Sequence, residues 1–287
     1  MKELFLKAYA KINLALAVGD VRSDGYHNLS SIMQTISLYD EIILKKSENI
    51  VCDIDKDVVP VGEENIAVKA ARSFFEFLKI DGGAHISIKK NIPSQAGLGG
   101  GSADAAAVIR GLNRLYSAGA DKYTLCKIGA KVGADVTFLI CGGAALAKGI
   151  GDVLSEIPSL SGCKILIVKP DIGISTAAAY AENDKLQKHD FKSADFLIPH
   201  LKNGDLRRFC LGLFNDFEEA LNLDIIQIVK EKMLGRGAMA SLMTGSGAAV
   251  FGIYDDEENL NKARIEFEKE GFSSFACCPI EKYDLLE

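Results

Sequence analysis

Hydrophobic and polar residues nearly alternate at the start of the chain. In LFLKAYAKINLALAV the period approaches two, so residues 4–18 are predicted to form a long strand. Lys7 and Lys11 interrupt the apolar run, which argues against a cleaved leader. Residues 30–46, SSIMQTISLYDEIILKK, are rich in β-formers and predict more strand. The period then changes. In residues 64–79, ENIAVKAARSFFEFLK, the residues Ile66, Ala70, Phe74 and Phe77 share one helical stripe. AHISIKKNI alternates again and reads as a strand. Helices are predicted from near Ser102 to about 117 and over 121–131, and ALAKGIGDVL reads as strand, turn, strand. Pro, Ser and Gly cluster at 156–162 and mark a boundary. Beyond it CKILIVKP predicts a buried strand, with helical segments to about 235. AMASLMTGSGAAVFGIY predicts two strands around Gly-Ser-Gly, DEENLNKARIEFEKE a surface helix, and SFACCPI a last strand. Strands and helices mixed without strict alternation predict an α+β fold in two domains, residues 1–158 and 159–287.

The 287 residues are 48% hydrophobic and 25% charged, an ordinary globular balance with ample core. The net charge of -6 and the absence of a basic block argue against nucleic-acid binding. No apolar run approaches the roughly 20 residues of a membrane span, so no membrane partner is expected. Seven cysteines without a CxxC pair, and four scattered histidines, give neither a disulfide framework nor a zinc pattern. The expectation is a reducing cytoplasm.

Candidate chemistry gathers in NIPSQAGLGGGSADAAAVIRGLN, Asn91 to Asn113. The loop lacks the third glycine of a dinucleotide fingerprint and the lysine of a Walker A loop. Its glycines would still let main-chain N–H groups close on phosphate oxygens at a helix N-terminus. The alternative is a tight turn with Ser102 and Asp104 as helix caps. Lys11 and Asn13, two apart on a strand, point to one side; they form either a solvated face or a polar site. Asp135 stands among apolar residues and glycines, as a functional acid or as an N-cap. Gly245-Ser246-Gly247 is either a hairpin turn or a cleft lining.

IPSQAGLGGGSADAA resembles the ATP-binding loop of the GHMP kinases, which include galactokinase, homoserine kinase and mevalonate kinase. AKINLALAVGDVRSDGYHNL, VGADVTFLICGGAALAKGIG and MTGSGAAVFG extend the likeness from about Lys7 to Tyr254. The resemblance implies a two-domain α+β fold with the active site in the inter-domain cleft, ATP and Mg2+ as cofactors, and phosphate transfer to an alcohol. By the same resemblance, DGYH implies a small-molecule acceptor bearing a cytidine diphosphate group. By resemblance Asp135 is the base and Lys11 its catalytic partner. Asn13, Asp135, Tyr26, His27 and Tyr180 would hold the acceptor, with cytosine between the two tyrosines. Asn65 would meet adenine, and Pro93, Gly97, Leu98, Gly99, Gly100, Gly101 and Ser102 the rest of the nucleotide. The sequence departs from the pattern at Gln95, Ala103 and Thr137, and lacks a frequent Arg pair before DGYH. Competing readings are a GHMP kinase for homoserine, mevalonate or a sugar, and a nucleotide-binding regulator without catalysis. DGYH argues against the first, and the presence of both Lys11 and Asp135 against the second.

Overall fold

Two long strands form the spine. In the computed structural model, which describes residues 3–55, 65–186 and 191–282, β1 (Leu4–Val21) and β2 (His27–Ser47) run antiparallel. Both outlast the alternating pattern that predicts them. Then come β3 (Val51–Ile54), α1 (Ile66–Leu78), β4 (Gly83–Lys89), α2 (Gly100–Leu115), α3 (Lys122–Ala130), α4 (Ala134–Cys141), β5 (Ala144–Lys148) and β6 (Val153–Ile157). The rest comprises β7 (Lys164–Lys169), α5 (Thr176–Asn183), α6 (Ile198–Lys202), α7 (Leu206–Leu211), β8 (Phe214–Asn215), α8 (Asp216–Leu221), α9 (Asp224–Gly235), β9 (Ala240–Met243), β10 (Val250–Tyr254), α10 (Glu257–Lys269) and β11 (Ser273–Cys277). The first predicted helix starts at Glu64, which lies outside the described residues.

The strands make two sheets. The larger runs β3-β4-β2-β1-β8, with β5 on β2 and β6 on β5; the smaller is β11-β7-β10-β9. The small Cβ atoms of Ala103, Ala105, Ala106 and Ala107 let α2 lie close against β1 and β2. Beside it are α1 and α4, while α3 packs on the helices. A second core joins α9 and α10 to the smaller sheet, and Leu16 and Val18 of β1 belong to it. Strands β1, β7, β9 and β10 thus serve both cores.

Two expectations change, and one helix appears where no element was predicted. Helix α2 begins at Gly100, two residues before Ser102, and its N-cap is Gly99 with no side-chain cap, so neither Ser102 nor Asp104 caps it. The run ADVTFLIC is a helix; short, buried and apolar, it has no periodicity to read. A two-residue strand, β8, interrupts the predicted helical stretch and pairs parallel with Ala15 and Leu16 of β1.

The approach of α2 to the sheet is closest at Gly111, where a Cβ would lie 2.4 Å from Leu44 Cδ1 and 2.7 Å from Leu6 Cδ1. Gly111→Val is expected to destabilise the protein by about 1–3 kcal/mol through overpacking. Urea unfolding measures the loss; unchanged stability would show that the helix can lift freely.

Candidate active site

The glycine loop is pinned from both sides. From β1, the Lys11 N–H donates to Leu98 O at 3.0 Å. From the β9–β10 turn, Ala248 and Ala249 N–H groups donate to Gln95 O at 3.3 Å and Ala96 O at 3.2 Å. A Cβ on Gly97 would stand 2.0 Å from Thr244 O, so this glycine, at φ 72°, is required by the protein's own close approach. Gln95 occupies a left-handed position, φ 50°, and its amide reaches to where a Gly173 side chain would be. The loop therefore bridges the two sheets. Gly245, Ser246 and Gly247 are the turn of the β9–β10 hairpin and also line the same cleft, so both of their readings hold.

After this bridge the loop turns into α2. Its first N–H group to reach a helical acceptor is that of Ala103, to Gly99 O at 2.8 Å. Those of Gly100, Gly101 and Ser102 have no acceptor among the described residues and line the cleft. Unpaired N–H groups at a helix start form a site for an anion.

Across the cleft stand Lys11, Asn13 and Asp135. Lys11 and Asn13 are both 5% exposed, so they are no solvated face. Lys11 Nζ donates to Asn13 Oδ1 at 2.7 Å and lies 3.4 Å from Asp135 Oδ2. Asn13 is held in turn. Its Nδ2 donates to Ser31 Oγ at 2.8 Å, and its main-chain N–H to Thr244 Oγ1 at 2.9 Å, where β1 slips register against β2. Asp135 lies in the first turn of α4, where the helix dipole favours an anion, and its side chain is 39% exposed. It is an open acid at the rim, not the enclosed one its neighbours suggest. Thr137 Oγ1 donates to Cys126 O at 3.4 Å, tying α4 to α3.

The cleft, about 560 Å3, is also lined by Pro93, the residues from Gly97 through Ser102, Tyr180 and Phe217. Three predicted residues are placed differently. Asn65 caps α1, taking the Ala67 N–H at 2.8 Å, and is not on the cleft wall. Tyr26, 60% exposed, follows the β1–β2 turn away from the cleft wall. His27 Nε2 donates to Asp184 Oδ1 at 2.7 Å, and its ring stacks on Tyr180 at 4.6 Å. Tyr180 thus faces His27, where the resemblance implies a base between it and Tyr26. Burial, then the charges of Asp135 and Asp184, push the Tyr180 phenol above its ordinary range.

Sequence reasoning missed a buried charge cluster beneath the loop. Lys90 Nζ bridges Asp40 Oδ2 at 2.5 Å and Asp104 Oδ2 at 2.6 Å. The other Asp40 oxygen takes the N–H groups of Asn91 at 2.5 Å and Ile92 at 2.8 Å. The signal was available: Lys90 shares strand parity with buried Ile86 and Ile88, and Asp40 with Ile42 and Leu44. Burial pulls Lys90 down, but Asp104 and Asp40 outweigh it and raise it. Burial pushes Asp104 up, Lys90 opposes and Asp40 adds, leaving it at about 8.

Domain models for the GHMP kinases match here: the N terminal domain at residues 65–143 and the C terminal at 197–272. A protein of Acetivibrio thermocellus named 4-diphosphocytidyl-2-C-methyl-D-erythritol kinase is 44% identical over 90% of this chain and 92% of its own. One of that name from Thermoanaerobacter pseudethanolicus is 41% identical over 92% and 91%. A crystal structure described as 4-(cytidine 5'-diphospho)-2C-methyl-D-erythritol kinase superposes with a TM-score of 0.79 at 29% identity, covering 96% of this chain and 98% of that one. Methanococcus jannaschii mevalonate kinase, at 19% identity, TM-score 0.73 and coverage of 98% and 99%, shares the fold.

Asp104 sets a pH dependence. Its folded-state pKa lies above that of the free carboxyl, so the native protein binds the proton more tightly than the unfolded chain. This stabilisation is present below about pH 4 and lost as the pH rises through about 8. Wild-type stability is expected to fall across that window by on the order of a few kcal/mol from this group, and Asp104→Asn to flatten the slope. Denaturant unfolding at several pH values checks it; equal slopes would count against a raised Asp104.

Proposed function

Because the chain belongs to the GHMP kinases, and within them to the 4-diphosphocytidyl-2-C-methyl-D-erythritol kinases, we propose that it phosphorylates the 2-hydroxyl of 4-diphosphocytidyl-2-C-methyl-D-erythritol with ATP in the non-mevalonate isoprenoid route. The observation that carries this reading is the Lys11–Asp135 pair facing unpaired N–H groups across one cleft. Residues 1–158 and 159–287 are read as its two domains, a division supported by the separate smaller sheet. No helix among the described residues is long and apolar enough to cross a membrane. We infer a cytoplasmic enzyme.

The N–H groups of Gly100, Gly101 and Ser102 receive the phosphates of ATP. Gly101 is exposed on the cleft wall, and a Cβ there would meet one atom within 4 Å, Ile66 Cγ2 at 3.2 Å, which leaves room for the nucleotide. Among the described residues no group of three or more His, Cys, Asp or Glu suits a metal. Magnesium would enter with the nucleotide, and Ser102, whose hydroxyl lies on the cleft wall, is the residue that would help hold it. When bound, it neutralises phosphate charge. Asp135 takes the proton of the acceptor hydroxyl, and Lys11 stabilises the oxygen as it loses that proton. Asn13, locked by Thr244 and Ser31, fixes Lys11 and gives the acceptor a polar contact. Phosphoryl transfer asks chiefly for this positioning.

The acceptor end is read as the wall containing Tyr180, backed by His27. Stacking alone does not separate cytosine from uracil, whereas hydrogen bonds to the base edge do. Tyr26 would close over the base from the turn.

Asp135→Asn is expected to lower turnover by about 10²–10⁴ while ATP binding persists. An ADP-release assay beside nucleotide titration checks both; turnover within a few-fold of wild type removes Asp135 from the mechanism. The enzyme is also expected to prefer the cytidine-bearing acceptor over its uridine analogue. His27→Ala should blunt that preference and Tyr180→Ala raise KM for both acceptors, with KM for ATP unchanged. The double variant should cost less than the sum, because the rings already touch. Equal use of both acceptors by the wild type would place base recognition elsewhere.

A further inference from the structure

Seven cysteines are free, and two stand together. Cys126 of α3 and Cys141, the last residue of α4, have sulfurs 3.5 Å apart, and both side chains are partly exposed. Neither takes part in the reaction above. We propose that Cys126 and Cys141 are a thiol oxidation site, closing to an intramolecular disulfide by exchange with a small-molecule disulfide, and that closure displaces α4 and the acid it carries.

The pair differs from the other thiols. Burial pushes Cys52 and Cys163 up to about 11, and Cys210 and Cys277 up to about 12, so these hold their protons. Cys141 moves the other way. Either thiol can donate to the other's sulfur; with Cys126 as the donor, and the nearby Lys122 charge assisting against burial, Cys141 is lowered to about 7. Cys126, as donor, is raised. One sulfur is the ready nucleophile and its neighbour the resolving thiol, an arrangement that favours exchange.

The step balances without a further reactant. The Cys141 thiolate attacks one sulfur of the small disulfide, forms an S–S bond and expels a thiolate. Cys126 loses its proton to water and attacks the Cys141 sulfur, expelling the second thiolate. Two electrons pass from the protein pair to the small disulfide, which leaves as two thiols.

Closure has a mechanical consequence. The sulfurs must approach from 3.5 Å to a bond of about 2.05 Å. In a helix of eight residues, Asp135 and Cys141 are separated by about 9 Å along the axis, so a shift at one end is carried to the other. A displacement of about 1 Å at a positioned group can cost on the order of 10²-fold in rate. Displacement of Asp135 rests on the kinase reading; the disulfide does not.

The test incubates the full chain with oxidised glutathione and follows intact mass, non-reducing peptide mapping and turnover. The expected product is monomeric, lighter by two hydrogens, with Cys126 and Cys141 in one cross-linked peptide. Turnover should fall about tenfold or more, and dithiothreitol should restore it. Cys126→Ser and Cys141→Ser should gain no internal cross-link and keep their turnover through the treatment. A lasting glutathione adduct, a link between chains or no reaction overturns the site. A cross-link with unchanged turnover overturns the coupling to Asp135. The mass readout needs no substrate, so it stands apart from any failure of the kinase assignment.

Discussion

The ammonium of Lys90, enclosed by the carboxyl groups of Asp40 and Asp104, is the constraint under which the cleft is built. Asp40 belongs to β2, Asp104 to α2, and Lys90 follows β4, so one charge cluster ties three elements at the root of the glycine loop. Charges taken from water are expensive, and such a cluster persists when its geometry and extra hydrogen bonds compensate. Here Asp40 supplies them, holding the main chain at Asn91 and Ile92 as it leaves the sheet. The loop begins from a fixed point and a fixed direction. Everything the cleft presents to an anion depends on that start.

A second constraint acts at the loop's other end. Glycine at 97 is explained by the Thr244 carbonyl pressing on it, a contact between halves of the chain. The run of small residues therefore has two different causes: internal packing at Gly97 and Gly99, and an open approach from the cleft at Gly101. At Gly99 a Cβ would meet Lys11 Cγ at 3.1 Å. The lysine could not extend toward Asp135 along its present path if the loop carried a side chain there. Loop and cation are shaped against each other.

Much of this was legible in the sequence. The shared parity of Lys11 and Asn13 put them on one side of β1 but left open whether that side was solvated, and the order of motifs foretold the fold. What was not legible follows from physics that acts across the chain. A short apolar run such as ADVTFLIC carries no period, and its helix is decided by neighbours. Asn65 is a residue type that both caps and binds, and its local role is the cap. The His27–Tyr180 stack joins residues far apart in sequence, which no local pattern encodes. The Lys90 cluster is the instructive omission, because inward parity of a charged residue marked it on β2 and again just past the end of β4.

The late strand β8 and the turn after β9 have a consequence for the order in which a ribosome delivers the chain. Residues up to Ile157 contain six strands of the larger sheet, but β1 there still lacks its neighbour at Ala15 and Leu16. Asn13 N–H has no Thr244 to meet, and Thr35 and Ser37 of β2 wait for Ile280 and Cys278. A nascent first half emerges with an unfinished edge and a loop held from one side alone, a form prone to wrong pairing. Competence to bind arrives with the last fifth of the chain, so a partly translated product carries three of the four recognisable motifs without their site.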